Sequence, residues 1–184
     1  MNLKSKVDIR NTEIYNLPAR LIHWIMATGF VFMWGCGYTM TTWVEEDSAL
    51  EEILFDLHIS VGVTLLFLLI LRIAVRLAYA PPPLPDTIRR IERIGAHAGH
   101  VALYILPAVV IGFGWAEVDV GGHQVQWFGI PVAKVFPTVE VWEGLTETLH
   151  RWLAYTMLSV ALVHVAAVIK HRWIDHHDIL YRMI

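Results

Sequence analysis

The chain has 184 residues, 56% of them hydrophobic and only 17% charged, with a formal net charge of −3. A composition this apolar, with a mean hydropathy of +0.51, excludes an ordinary soluble domain of this length. The single cysteine, Cys36, excludes an intrachain disulfide and a Cys-x-x-Cys-His haem attachment, and reads as a small buried apolar residue.

Charge is clustered along the chain. No Asp, Glu, Lys or Arg occurs from Leu21 to Val44, from Leu57 to Leu71, from Ile94 to Ala116 or from Trp152 to Ile169, runs of 24, 15, 23 and 18 residues. Crossing the hydrocarbon core takes roughly 20 helical residues. The second run reaches that length if Arg72 and Arg76 turn their charged heads toward the interface. Four transmembrane helices are therefore predicted, roughly over 18–44, 53–79, 94–116 and 148–171, with a long loop at 117–147, all in one membrane domain spanning 1–184. The first run is too long for a secretory signal and lacks a small-residue cleavage site. Prolines 81, 82, 83 and 85 mark the stop between the second and third helices.

Lys4, Lys6, Arg10, Arg20, Arg72, Arg76, Arg89, Arg90, Arg93, Lys170, Arg172 and Arg182 fall on one side of this arrangement, and only Lys134 and Arg151 on the other. Twelve against two puts both termini of this multi-pass chain in the cytoplasm. The outer side is acidic, with Glu45, Glu46, Asp47, Glu51, Glu52, Asp56, Glu117, Asp119, Glu140, Glu143 and Glu147. Trp24, Trp43, Trp127, Trp142, Trp152 and Trp173 lie where an interfacial aromatic belt is expected.

Six histidines, His23, His58, His97, His100, His150 and His164, sit in or at the ends of the predicted helices, where polar groups are costly and usually functional. His123, His176 and His177 are expected to face solvent. At about 100° per residue, His150 and His164 lie within roughly 40° on one face of the fourth helix and about 21 Å apart. His58 matches the depth of His150, and His23 that of His164. Two neutral imidazoles facing each other from different helices suit the axial positions of a haem iron, giving six-coordinate centres that carry electrons. Zinc fits less well, for no Cys cluster or close H-x3-H pair lies among these helices. Spacing alone leaves His97 and His100 beside His23 as partners for His164.

The ordered motifs resemble the prokaryotic, bacterial-type cytochrome b561 family, four-helix di-haem membrane cytochromes related to the cytochrome b subunits of membrane hydrogenases. The resemblance runs from Arg20 to Met183. It rests on R-L-I-H-W at Arg20 to Trp24, H-x3-G at His58 and Gly62, and R-x3-R-L at Arg72 to Leu77. Further along it rests on H-x3-Y-x2-P-x4-G at His100, Tyr104, Pro107 and Gly112, and on H-x3-A-x9-H-x2-A-x3-H at His150, Ala154, His164, Ala167 and His171. A trailing H-D-x3-R-M covers His177 to Met183.

What this resemblance implies is an all-α four-helix bundle enclosing two non-covalent haem b groups, with His23, His58, His150 and His164 as bis-histidine ligands. Arg20, Arg72 and Arg76 are candidate counter-charges for the propionates of an inner haem and Arg151 for an outer one, because a guanidinium matches a carboxylate. His100 and His171 are candidate proton movers at a quinone site, with ubiquinone as a possible further cofactor. The expected function is electron transfer across the bilayer between a periplasmic partner and a quinone or inner-side partner. That outer partner is expected to be a basic redox protein or a membrane-bound oxidoreductase subunit; besides membrane lipid, no nucleic-acid partner is expected. The alternatives are a superoxide oxidase that reduces quinone and, from another class, a histidine-lined proton or metal-ion conductor without haem.

Overall fold

The computed structural model describes residues 14–84, 88–176 and 179–184. Lys4, Lys6, Arg10 and His177 lie outside these. Among the described residues four helices are long and apolar enough to cross a membrane: α1 (Leu17–Thr42), α2 (Ala49–Ala78), α3 (Arg90–Val120) and α4 (Glu143–Trp173). Their starts follow local chemistry. The Asn16 side chain accepts from Ala19 N at 2.8 Å with Pro18 in the first turn of α1, and Ser48 Oγ accepts from Glu51 N at 3.2 Å.

Three helices overrun the predicted spans. α2 starts at Ala49 rather than near 53, α3 runs from Arg90 to Val120 rather than 94–116, and α4 starts at Glu143 rather than 148. A charge-free run measures only the stretch suited to hydrocarbon, whereas the backbone ladder continues through polar turns at the interface. The long connection accordingly shrinks to 121–142.

In the bundle α1 packs on α2, α2 on α3 and α3 on α4, while α4 makes no extensive backbone contact with α1 or α2. One apolar cluster joins Ile22 and Met26 of α1, Leu65 and Leu69 of α2 and Ile111 of α3. A second joins Val63, Val118 and Val125. The one buried residue of α4 is Thr146, so α4 stands off from α1 and α2.

A two-residue ladder interrupts the long loop: β1 (Gln126–Trp127) pairs antiparallel with β2 (Ile130–Pro131). The turn between them needs positive φ at Phe128 (49°) and Gly129 (80°), the geometry of a tight hairpin. This hairpin folds onto α2. Phe128 N donates to Ser60 Oγ at 2.9 Å, Ser60 Oγ donates to Gln126 O at 3.4 Å, and Trp127 Nε1 donates to Thr64 Oγ1 at 3.0 Å. Trp127, expected as a belt residue, is thus tied to α2 by its indole N–H and packs beside Phe67. Asp119, expected among the surface carboxylates, is 0% exposed: its Oδ2 accepts from Val135 N at 2.7 Å and Phe136 N at 3.0 Å.

At the end carrying the termini, a short turn at Leu180–Met183 closes the bundle. Buried Arg182 donates to Pro83 O at 2.9 Å and lies over the Tyr15 ring, while its own carbonyl accepts from Tyr15 N at 3.1 Å. Trp24 Nε1 donates to Met183 O at 2.7 Å. Lys170 Nζ of α4 joins α3 through Glu92 at 2.8 Å and also bonds Asp175, just beyond the end of α4, at 2.5 Å. Asp175 also meets His171 Nδ1 at 2.8 Å. The hydrogen bond from Lys170 is the main reason the Asp175 carboxyl stays below the usual carboxylate range.

Candidate haem-binding site

The histidines of α4 face histidines of two other helices across the space that α4 leaves open. At the hairpin end, His58 of α2 and His150 of α4 have ring centres 6.1 Å apart with planes at 82°. At the terminal end, His23 of α1 and His164 of α4 are 6.5 Å apart, also at 82°. An imidazole nitrogen sits about 2 Å from a first-row metal ion and about 1 Å from its own ring centre, so an ion held between two trans imidazoles sets the ring centres about 6 Å apart. Both pairs have that spacing.

His100 of α3 lies closer to His164, 5.5 Å between ring centres at 61°. His97 is exposed, and no ring contact joins it to the others among the described residues. His123 and His176 are exposed as expected.

The surroundings of the two pairs differ. At the hairpin end the pair lines an apolar cleft of about 940 Å³, counted to its open side, with Phe30, Met33, Trp34, Ala154 and Met157 among its walls. His150 Nδ1 lies 2.9 Å from Val110 O. A carbonyl only accepts, so Nδ1 carries the proton and Nε2 keeps its lone pair for a metal. Both imidazoles lean on glycine: a Cβ added at Gly114 would meet His150 Cε1 at 2.9 Å, and one added at Gly37 would meet His58 Cε1 at 3.2 Å. His58 Nδ1 is buried without a hydrogen-bond partner.

Around the terminal-end pair the groups are polar. Arg72 Nη1 donates to Ala19 O at 3.2 Å, its guanidinium lies over Tyr104, and its charge acts on His23, His100 and His164. Arg76 lies within electrostatic range of His100. Arg20 Nε is buried with no partner, an orphaned donor of the kind a carboxylate satisfies. Arg151 is placed differently: its side chain is 56% exposed and pairs with Glu147 on the same helix.

These features fit b haem. Two imidazole pairs could offer ring nitrogens to haem iron, an unpartnered guanidinium N–H would suit a propionate, and the glycines leave room for the His150 and His58 rings where a methyl group would collide. Zinc fits poorly, since each pair offers two donors and structural zinc takes four. Among the described residues, the three-ligand grouping is Glu92, His171 and Asp175, and Lys170 already bonds both of its carboxylates.

Sequence reasoning missed the glycine seats and the Val110 carbonyl. The resemblance pointed to Gly112, whose added Cβ would meet nothing within 4 Å, whereas the glycine against the imidazole is Gly114, two residues on. The spacing of Gly114 to Pro107 carried no signal, because a close approach to a residue 36 positions away is a tertiary fact.

The comparisons with known proteins agree with this geometry. The sequence model described as prokaryotic cytochrome b561 matches residues 14–184. The protein described as cytochrome b561 homolog 2 of Escherichia coli (strain K12) is 29% identical over 176 residues, covering 94% of this chain and 92% of the relative. With four membrane-spanning helices and this match over nearly its full length, the chain, a multi-pass bacterial membrane protein, belongs to the prokaryotic cytochrome b561 family.

Proposed function

We propose that the chain is a b-type cytochrome that holds two haems in series and moves electrons across the membrane between a partner at the hairpin end and a quinone or other acceptor at the terminal end. The observation that carries this reading is the pair of facing imidazoles at 6.1 and 6.5 Å, each with one member on α4. Haem iron, when bound, supplies one-electron chemistry at each pair. The chain does the positioning. His58 and His150 would hold one metal, His23 and His164 the other, and Arg20, Arg72 and Arg76 would balance propionate charge at the terminal end. Bulky apolar side chains line the cleft at the hairpin end and would limit water around a metal bound there. His100, beside His164 and within range of Arg76, would give a proton to a quinone carbonyl.

The excess of Lys and Arg at the terminal end supports a cytoplasmic location for it, and so a periplasmic one for the hairpin. A histidine relay through the membrane is disfavoured. The two pairs are about 21 Å apart along α4, whereas proton transfer between side chains needs hydrogen-bond steps of about 3 Å.

The hairpin end carries an acidic rim even without buried Asp119: Glu45, Glu46, Asp47, Glu52 and Asp56 are exposed around the turn between α1 and α2, and Glu143 and Glu147 at the start of α4. Arg151 is engaged with Glu147, which weakens any local positive mouth beside His150. Such a rim attracts basic protein surfaces and repels small anions. The donor proposed is therefore a basic redox protein or oxidoreductase subunit.

Sealed right-side-out vesicles test orientation and partner together. A membrane-impermeant basic cytochrome c should exchange electrons with the protein from outside. Its rate should fall roughly tenfold as salt rises from 0.01 to 0.1 M, where the Debye length shrinks from about 30 to about 10 Å. No exchange from outside contradicts the orientation. A salt-independent rate, together with near diffusion-limited reaction with superoxide, makes superoxide the donor instead.

A further inference from the structure

The two imidazoles at the hairpin end are not held alike. His150 donates through Nδ1 to Val110 O at 2.9 Å, while His58 Nδ1 is buried with no partner. The carbonyl belongs to α3, a helix that supplies neither ligand, and the same helix brings Gly114 against the ring one turn later. An added Cβ there would lie 2.9 Å from Cε1, 3.1 Å from Nδ1 and 3.6 Å from Nε2 of His150. Separations under 3 Å force something to move, and what would move is the ring itself. Displacing it takes Nδ1 away from Val110 O, for a hydrogen bond weakens steeply with distance and angle.

We propose that Gly114 is a positioning residue whose missing side chain lets His150 sit on α3, so that the Val110 carbonyl orients the ring and sets the redox potential at the hairpin-end site. This rests on the haem reading above. The physical basis is basicity. An Nδ1–H that donates to a carbonyl leaves more electron density on Nε2, which favours the oxidised iron over the reduced one and lowers the potential. His58 lacks that bond, so the effect enters through α3 alone. Gly37 plays a lesser part: a Cβ there would approach His58 Cε1 at 3.2 Å, which a shift of a few tenths of an ångström relieves.

The test compares purified wild type, Gly114→Ala and Gly112→Ala, the last adding a methyl group to the same helix where nothing lies within 4 Å. Haem per chain is counted, and each centre is followed in an optical redox titration, with His58→Ala identifying the hairpin-end wave. Gly114→Ala should raise the potential of that wave, shifting its oxidised to reduced ratio about tenfold at a fixed poise, about 59 mV for one electron. The other wave, and both waves of Gly112→Ala, should stay in place. Loss of the hairpin-end haem alone from Gly114→Ala also supports the proposal.

Two haems with unchanged potentials in Gly114→Ala overturn it, as does loss of both haems with helix content intact. A wild type without haem overturns the underlying reading instead. Should Gly114→Ala fail to accumulate, redox-difference infrared spectra of the wild type with ring-15N histidine decide. They should contain a ring mode of an Nδ1–H-donating imidazole that vanishes in His150→Ala and persists in His164→Ala; its absence from the wild type overturns the proposal.

Discussion

His164→Ala should reduce the haem content from two per chain to one, with the terminal-end haem lost and the hairpin-end haem kept; His58→Ala should do the reverse. The reason is geometric. Each facing pair takes one imidazole from α4 and the other from α1 or α2, and α4 has no extensive packing on those helices besides. Removing one imidazole of a pair would leave a haem there with a single histidine to hold its iron, in a site whose other contacts would be non-covalent. At the terminal end His100 provides an internal control, being 5.5 Å from His164 where His23 is 6.5 Å away. His23→Ala should therefore remove the terminal-end haem and His100→Ala should retain it. If His100→Ala removes a haem while His23→Ala keeps both, α3 supplies the ligand and the assignment of His23 is wrong.

Asp119→Ala should loosen the loop 121–142 around Val135 and Phe136 without removing haem. Asp119 is fully buried, and its Oδ2 accepts two backbone N–H groups, from Val135 and Phe136. Thr138 Oγ1 also donates to its backbone carbonyl at 3.5 Å and Val139 N to Val120 O at 3.2 Å, so what the Asp119 side chain itself holds against the last turn of α3 is the stretch at Val135 and Phe136. A hydrogen bond to a charged group contributes about 1.5–3 kcal/mol, and truncation leaves two partly buried donors unpaired. A local loss of about 2 kcal/mol raises the population of opened loop by up to about thirtyfold. Limited proteolysis reads this directly, as faster cleavage within 121–142, and Asp119→Asn, which keeps one acceptor, should fall between. Cleavage at the wild-type rate in Asp119→Ala would show that the hairpin bonds to Ser60 and Thr64 hold the loop by themselves.

The contrast between these two sites shows what the sequence made legible. Lipid forbids unpaired backbone polar groups, so charge-free runs mark helices strongly, and a helix has a fixed rise and twist. From those rules alone, the 14 residues between His150 and His164 placed two imidazoles on one face at opposite depths. Helix polarity then matched His58 and His23 to them. The choice between His23 and His100 was beyond such rules, because both lie at the same depth; the preference for His23 came from the family resemblance.

Asp119, Trp127 and Gly114 were misread or missed for a common reason. Each owes its role to a partner far along the chain: Val135 and Phe136 for Asp119, Thr64 for Trp127, and His150 for Gly114. Hydrophobic periodicity says nothing about such contacts. The helix ends were misjudged because charge marks the edge of the hydrocarbon and not the end of the hydrogen-bond ladder, as Glu143 and Arg90 show.

The central claim is that the two facing pairs each hold one haem. Pyridine haemochrome analysis of the purified protein, with a dithionite-reduced visible spectrum, tests it most directly. The account predicts about two non-covalent b haems per chain and low-spin, six-coordinate bands with no change on adding an external ligand. Absence of haem, or a single haem per chain, would contradict it.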